Sequence, residues 1–554
     1  MNVSSVVERK DKAEPTLPRT DARIEASAPR AAEAISRSLM QSGEEFRVAI
    51  AQIRCEPGCI KLNTDKIISK IDEARSKGAK LVVFPELAIP GYCSMDLFFN
   101  ADFIRENIQA LQRVREASHG ISVVVGFVDT DHNGARAGAR PILYNSAAII
   151  SDGKIVAIQD KSCLPNYDIF FEDRYFAPPR ARRVTEVAGL KLGVEICEDL
   201  WREGYPEDVT ADLVSKGADV VVNLSASPFH LGKLATRKEL ISDTSRSQQV
   251  PIIYANLIGC YDGYEGDVIF DGRSMFMTKG GRLGGIARSF DEELLIVDLL
   301  QAKEIELPEV REVEELHDAL VLGIRDFMAR VERLGVLKRG QVVLGLSGGI
   351  DSAVVAALAA EALSPDRVLA ISMPSQYSSN ETRSDAEKIA ENLGIRLKTV
   401  PIEETFKRWV TELKSDPDIE ALPEDVSEEN LQARIRANDL MFYANKLGGV
   451  VLNTGNKTEL ALNNCTMYGD TVGTFSVLGD VDKDRVYDLA RFINERAGRE
   501  AIPLSTIERA PSAELKPNQI DAHVMGADPQ VMAPLVREII EQRLSLRQAI
   551  ERFG

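Results

Sequence analysis

Three residues of the right types stand where an acyl-transfer site needs them. Glu86 lies in Phe84-Pro85-Glu86-Leu87, directly after an apolar run. Lys161 lies in Asp160-Lys161-Ser162-Cys163-Leu164-Pro165, and Cys197 in Val194-Glu195-Ile196-Cys197-Glu198-Asp199, again after an apolar run. Strand ends are where α/β scaffolds present reactive groups. The chemistry is nucleophilic: a thiolate attacks an amide carbon, a base takes the thiol proton, and a cation stabilises the oxyanion. Cys197 is then the nucleophile, Glu86 the base and Lys161 the oxyanion stabiliser, with the lysine also favouring the thiolate. Singly, each has an ordinary reading as buried filler, helix-start acid or surface lysine. The order Glu, Lys, Cys, each in its own context, argues for a site.

A different chemistry is written into Leu344-Gly345-Leu346-Ser347-Gly348-Gly349-Ile350-Asp351-Ser352. Glycines let backbone N–H groups approach an anion, and a helix N-terminus favours negative charge. Ser347 and Ser352 add hydroxyl donors, and Asp351 suits Mg²⁺. No Gly-Lys-Ser/Thr follows, so the loop is not a Walker A motif. It resembles the pyrophosphate loop of enzymes that cleave ATP to AMP and pyrophosphate, which makes Gly345, Leu346, Ser347, Gly348, Gly349, Ile350, Asp351 and Ser352 the ATP-binding candidates.

The elements that must position these groups are legible as periodicities. Residues 46–52, 81–84, 123–127, 146–150, 192–196, 220–224 and 252–256 read as strands, and 63–77 as a helix closed by Gly78. Ile149 to Ile158 reads as a hairpin around Asp152-Gly153. Strands alternating with helices, but with hairpins among them, predict an α-β-β-α sandwich. Residues 315–334 read as a helix, 341–346 as a strand, 353–363 as a helix, 368–372 and 450–453 as strands and 381–393 as a helix, a rhythm that predicts a doubly wound parallel sheet. The expected division is a flexible N-terminal extension over 1–45, with a short helix near 30–41, a first domain over 46–300, a linker over 301–320 and a second domain over 321–554.

The chain has 554 residues and a formal net charge of −18. That balance argues against nucleic-acid or anionic-membrane partners, which need positive surface. The seven cysteines are odd in number and scattered, without a C-x-x-C pair. They predict neither a disulfide framework nor a zinc site, and place the chain in a reducing cytoplasm. No run of about 18 apolar residues exists to span a membrane.

Residues 46–300 resemble the nitrilase superfamily, whose mark is a Glu–Lys–Cys triad. The detail is similar to the glutaminase domain of the glutamine-dependent NAD synthetases, through Phe84–Tyr92, Lys161–Phe176, Ile196–Trp201 and Asn223–Lys233. That resemblance implies that Tyr167, Ser227 and Lys233 hold glutamine. In the second half, Met373–Ser379, Glu429–Arg436, Thr454–Glu459 and Ser512–Pro517 are similar to the synthetase part of the same family. There the resemblance implies that Thr454 contacts ATP. It also implies that Asn430, Glu459, Asp470 and Lys516 contact deamido-NAD, and that Asp351 and Glu459 hold Mg²⁺. The implied activity is ATP-dependent amidation of deamido-NAD with ammonia from glutamine, passed internally, in a homo-oligomer.

The chain departs from the family pattern in three places. Gly259–Asp267 is longer and differently composed than the segment usual before Phe270-Asp271-Gly272, which bears on a pocket wall. Asn463-Asn464-Cys465-Thr466 stands where Gly-Tyr usually precedes Thr, and the stretch after Pro517 lacks the usual acidic and Leu-Pro-Pro-Tyr run. The same two-step chemistry on another carboxylate, such as nicotinate mononucleotide, therefore stays open as an alternative.

Overall fold

The computed structural model describes residues 45–131, 141–202, 204–263, 266–335, 337, 340–517, 519–520 and 527–553. The helix expected near 30–41, with nearly all of the N-terminal extension, lies outside them.

Strand alternation builds the first half. Strands β1 (Arg47–Gln52), β2 (Leu81–Val83), β3 (Ser122–Asp131), β4 (Ile142–Ser151) and β5 (Lys154–Asp160) form one sheet. A second sheet contains β6 (Val184–Val187), β7 (Leu190–Ile196), β8 (Val220–Ser225) and β9 (Ile252–Asn256). The chain then makes a hairpin of β10 (Ile258–Asp262) and β11 (Asp267–Asp271). It adds β12 (Met275–Met277) and β13 (Leu283–Ile286) to the second sheet, and returns with β14 (Glu293–Asp298) to the first. The orders are β14-β1-β2-β3-β4-β5 and β13-β12-β9-β8-β7-β6.

On β1, Val48 and Ile50 face the second sheet, where they meet Val194, Ile196, Val222 and Leu224. Ala49 and Ala51 face outward, onto the helices Ile60–Ser76 and Ala101–Ala117. The period-2 pattern thus splits one strand between two cores. The helix Lys233–Gln248 covers the outer face of the second sheet through Leu234 and Ile241. The architecture is the expected α-β-β-α sandwich. The turn at Asp152-Gly153 has positive φ at both residues, as a two-residue hairpin demands.

The second half is a five-stranded all-parallel sheet of β15 (Val342–Gly345), β16 (Val368–Ser372), β17 (Arg396–Thr399), β18 (Val450–Asn453) and β19 (Phe475–Ser476). Its order is β17-β16-β15-β18-β19. Val342 and Leu344 pack on the helices Ile350–Leu363 and Lys483–Ala497 on one face, while Val343 packs on the helix Val426–Leu447 on the other. The sheet is doubly wound, as expected. Its strand order reverses between β15 and β18, which opens a crevice at their carboxyl ends.

The segment read as a linker, residues 301–320, lacks helix only as far as Arg311. From Glu312 it is the start of a helix running to Arg333. Glu312, Glu314 and Glu315 occupy its first turn, where the helix dipole favours acids, and Leu316 and Ala319 are buried. This helix joins the halves. It packs on Ile350–Leu363 and, through Ala319 and Leu322, meets Phe229, Ile269 and Phe290. Asp326 pairs with Arg54 at 3.3 Å and accepts from the Cys260 N–H at 3.0 Å, and Arg333 pairs with Glu56 at 2.9 Å. Of the departing segment, Cys260 on β10 and Asp267 on β11 thus dock on the helix between the halves, through Asp326 and Arg330.

Candidate functional site

Glu86 and Lys161 are fully buried within the sandwich, at 0% and 1% exposure. Lys161 Nζ donates to Glu86 Oε1 and to Glu172 Oε1, each at 2.7 Å. Glu86 Oε1 also accepts from Asn145 Nδ2 at 2.7 Å, and its Oε2 accepts from the Ala226 N–H at 3.0 Å. Tyr92 OH donates to Glu172 Oε1 at 2.7 Å. Burial opposes the lysine charge, but Glu172 and Glu86 outweigh it and hold the ammonium well above its ordinary range. Burial pushes the Glu172 carboxyl up, against the pull of Lys161.

Cys197 follows β7 and is buried, with φ at +47°, a region that side-chain-bearing residues avoid. Burial and the neighbouring Glu86 raise its thiol, while Lys161 and the Ala226 N–H pull it down. A thiol raised in this way calls for a base before attack, and Glu86 is the acid beside it. Two loops are stapled together here. Asp199 Oδ1 accepts from the Ser162 and Cys163 N–H groups at 2.8 and 2.7 Å, and its Oδ2 accepts from the Ile196 N–H at 3.0 Å. One carboxylate thus fixes the strand ends that carry Lys161 and Cys197.

The glutamine candidates border this cluster. Tyr167, 52% exposed, donates its OH to Glu198 Oε1 at 2.8 Å, and Tyr205 donates to the same oxygen at 3.1 Å. Lys233 opens its helix with Nζ 4.5 Å from the Trp201 ring centroid. Burial, then Arg237, lowers its ammonium, while Cys197 and Glu198 support the charge. Ser227 is buried, its N–H bonded to Asn256 Oδ1 at 2.9 Å and its Oγ accepting from Arg237 at 3.3 Å. The rim thus combines an acid, a cation and hydroxyls, the complement of an amino acid's ammonium and carboxylate.

In the second half, Leu346 to Gly349 link β15 to the helix Ile350–Leu363, whose N-terminus carries no side-chain cap. Gly349 N–H donates to Ser347 Oγ at 3.1 Å and Ser352 Oγ to Gly349 O at 3.0 Å, so the serines brace the turn. Gly348 has φ +87°, and a Cβ there would stand 2.1 Å from Thr382 O. Across the crevice, half-buried Thr454 follows β18. Asp351 Oδ1 accepts from Asn456 Nδ2 at 2.8 Å, and Asp351 Oδ2 bonds Lys483 Nζ at 2.5 Å, which also reaches Glu459 Oε1 at 3.2 Å. The two metal candidates thus share one buried ammonium. Burial pushes the Glu459 carboxyl up, with Asp351 adding to it and Lys483 opposing. Among the described residues no group of three or more potential ligands gathers. Two carboxylates alone still fit Mg²⁺, which usually takes its remaining ligands from water and substrate phosphates.

Of the acceptor candidates, Glu459 is thus on Lys483, while Asn430, Asp470 and Lys516 belong to a second group of bonds. Thr466 Oγ1 donates to Asn430 Oδ1 at 2.7 Å, and the Thr466 N–H to Asp470 Oδ1 at 2.7 Å. Lys516, half-exposed, pairs with Glu429 at 2.9 Å. Asn453 Nδ2 donates to the carbonyls of Asp470 and Val472 at 2.7 and 3.0 Å, holding that loop against β18.

Sequence reasoning passed over Glu172, Glu198, Asp199 and Lys483. Glu198 and Asp199 directly follow Cys197, which is signal enough to have weighed them. Lys483 sits in Asp482-Lys483-Asp484 and reads as a solvated charge run, yet it is 2% exposed.

The carbon-nitrogen hydrolase family model matches residues 47–308, and the NAD synthase model matches residues 324–553. The chain is 39% identical over 520 residues to a glutamine-dependent NAD(+) synthetase of Synechocystis, covering 91% of this chain and 90% of that one. A protein of the same description from Thermotoga maritima is 36% identical, with 90% of each chain covered. Among solved structures, the glutamine-dependent NAD+ synthetase of Acinetobacter baumannii, in complex with adenosine diphosphate, superposes with a TM-score of 0.77 at 33% identity. It covers 92% of this chain and 91% of that one. With both halves matched and about nine tenths of each relative covered, the chain belongs to the glutamine-dependent NAD(+) synthetase family.

Proposed function

We propose that this chain hydrolyses glutamine at Cys197 and uses the ammonia, with ATP, to convert deamido-NAD to NAD. The observation that carries the reading is one chain holding both sites: buried Lys161 between two carboxylates beside Cys197, and the Ser347–Ser352 loop, whose Asp351 shares the Lys483 ammonium with Glu459. Residues 46–300 are the glutaminase domain and 321–554 the synthetase domain, joined through 301–320.

In the first site Cys197 gives its proton to Glu86 and attacks the amide carbon of glutamine. Lys161 stabilises the oxyanion, and its charge is secured by the buried acids. Glu86 returns the proton to the departing ammonia, and water then cleaves the thioester to glutamate. Glu198 and Tyr167 face the substrate ammonium, with Lys233 and Ser227 toward its carboxylate.

In the second site the acceptor carboxylate attacks the α-phosphorus of ATP, releasing pyrophosphate and leaving an acyl adenylate. Ammonia attacks that carbonyl, releasing AMP and the amide. The loop from Gly345 to Ser352 cradles phosphates with backbone N–H groups, and Thr454 borders the nucleotide. Asp351 and Glu459 would hold Mg²⁺, which offsets phosphate charge when bound. Asn430, Asp470 and Lys516 receive the acceptor. Thr466, inside the departing tetrapeptide, keeps bonds to both Asn430 and Asp470, which supports the deamido-NAD reading. Ammonia passes internally, since free ammonia is mostly protonated at neutral pH. The protein works in the cytoplasm as a homo-oligomer. Among the described residues no helix is long and apolar enough to cross a membrane.

The test supplies glutamine, ATP, Mg²⁺ and, in separate reactions, deamido-NAD or nicotinate mononucleotide. Equal amounts of NAD, AMP, pyrophosphate and glutamate are expected with deamido-NAD. Turnover of the mononucleotide alone would overturn the acceptor assignment.

A further inference from the structure

Glu195 is a carboxyl fully buried on β7, two residues before the nucleophile. A strand interior normally carries an apolar side chain there, because burying a polar group costs free energy unless its bonds are met. Glu195 Oε2 accepts from Thr210 Oγ1 at 2.8 Å, and Oε1 accepts from Asn223 Nδ2 at 3.1 Å. Asn223 is its register partner on β8. The same Nδ2 donates to the carbonyl of Cys197 at 3.4 Å, while Asn223 Oδ1 accepts from Ser225 Oγ at 2.6 Å. Bonds at both ends fix the amide's orientation: its oxygen is committed to Ser225, so its NH₂ faces Glu195 and Cys197.

The residue so held has φ at +47°. A non-glycine residue in that region costs about 1–2 kcal/mol and persists only where its surroundings over-determine it. In a trans peptide the C=O and N–H point to opposite sides. Anchoring the Cys197 carbonyl on Asn223 therefore also sets the Glu198 N–H and the bond that carries the thiol. Asp199 holds the preceding Ile196 N–H. The strained turn is thus gripped on both flanks.

We infer that Glu195, acting through Asn223, is a positioning residue for the glutaminase nucleophile, orienting the Cys197–Glu198 peptide without touching substrate. The inference rests on the glutaminase reading and on no particular acceptor. Its grip matters to the rate, since misplacing a reacting group by about 1 Å costs up to about a hundredfold.

The experiment uses the full chain, with glutamine hydrolysis and ammonium-driven amide synthesis measured on the same preparations. For Glu195→Leu, kcat for glutamine is expected to fall about ten- to a hundredfold with KM within about twofold. Ammonium-driven synthesis should stay at the parent level, which shows the chain folded. Glu195→Gln, which can accept from Asn223 and donate to Thr210, should restore kcat to within about threefold. If Glu195→Leu does not fold, Thr210→Val removes one of the two bonds and should lower kcat several-fold without moving KM. Parent-level kcat in Glu195→Leu or Thr210→Val, a loss confined to KM, or failure of Glu195→Gln to rescue would overturn the inference. The glutaminase reading fails separately, if the parent releases no glutamate or if Cys197→Ala still does.

Discussion

The phosphate loop depends on one missing methyl group. In Gly348→Ala the new Cβ would lie 2.1 Å from Thr382 O, and ordinary contact begins at 3.4 Å, so the loop and the helix Asn380–Leu393 would have to part by about 1.3 Å. The helix start is the stiffer partner: Thr382 Oγ1 and the Ser379 N–H both donate to Glu514 Oε2, at 2.9 and 3.2 Å. The loop therefore gives way. An alanine at φ +87° also carries strain of about 1–2 kcal/mol. Displacing the N–H groups that cradle the phosphates by about 1 Å should lower the rate of amide synthesis roughly a hundredfold. The assay is AMP formation with ATP, the acceptor and an ammonium salt, beside glutamine hydrolysis as a control on the other half. The expected result is a collapse of the first and a persistent second. Amide synthesis within about threefold of the parent would refute the assignment of this loop to ATP.

Other outcomes follow from the buried charges. Burial pushes the Glu195 carboxyl up to about 8 from an ordinary 4.5, with the Thr210 and Asn223 hydrogen bonds opposing and Asp199 and Asp208 adding to it. A raised carboxyl contributes stability that is full below about 4.5 and lost as pH climbs to about 8. Glu195→Gln should therefore gain thermal stability over the parent between pH 6 and 9, and a pH-independent difference in Tm would count against it. Glu172→Gln leaves Lys161 with one charged partner. Glutamine-driven kcat should drop at least about tenfold while ammonium-driven synthesis holds, as steady-state kinetics would show. Lys483→Met leaves Asp351 and Glu459 facing each other without their cation, which should cost about 3 kcal/mol in unfolding titrations without metal, partly recovered on adding Mg²⁺. An equal loss with and without Mg²⁺ would argue against a metal at those carboxylates. Because burial raises the Glu459 carboxyl, protons compete with the metal there. The Mg²⁺ concentration for half-maximal synthesis should rise as pH falls, and a flat dependence would exclude Glu459 as a ligand.

The two halves meet through the helix Glu312–Arg333, which is packed into the synthetase core and ion-paired to the sandwich at Arg54 and Glu56. Glu56 precedes the helix Ile60–Ser76 and is tied to its Asn63, whose Nδ2 donates to the carbonyls of Glu56 and Ile89 at 2.8 and 3.0 Å. Ile89 belongs to the segment that follows Glu86. A continuous chain of bonds therefore runs from the helix between the halves to the loop of the glutaminase base.

Much of this was legible in the sequence because it is local. The apolar patterns of 46–52 and 192–196 declare strands, Asp152-Gly153 declares a hairpin, and Ser347–Ser352 declares an anion loop, each through preferences that act within a few residues. The types of Glu86, Lys161 and Cys197 name a chemistry before any fold is known. The rest depended on positions distant along the chain. That Lys161 has a second acid in Glu172, and that Asp199 staples two strand ends, are matters of sheet packing, which no local pattern encodes. Lys483 looks solvated beside two aspartates, and only the docking of its helix start on the turn that carries Glu459 buries it between Asp351 and Glu459. The part of the linker expected over 301–320 that follows Arg311 is helix because its apolar face finds partners in both halves, and hydrophobic burial is decided by what a face meets.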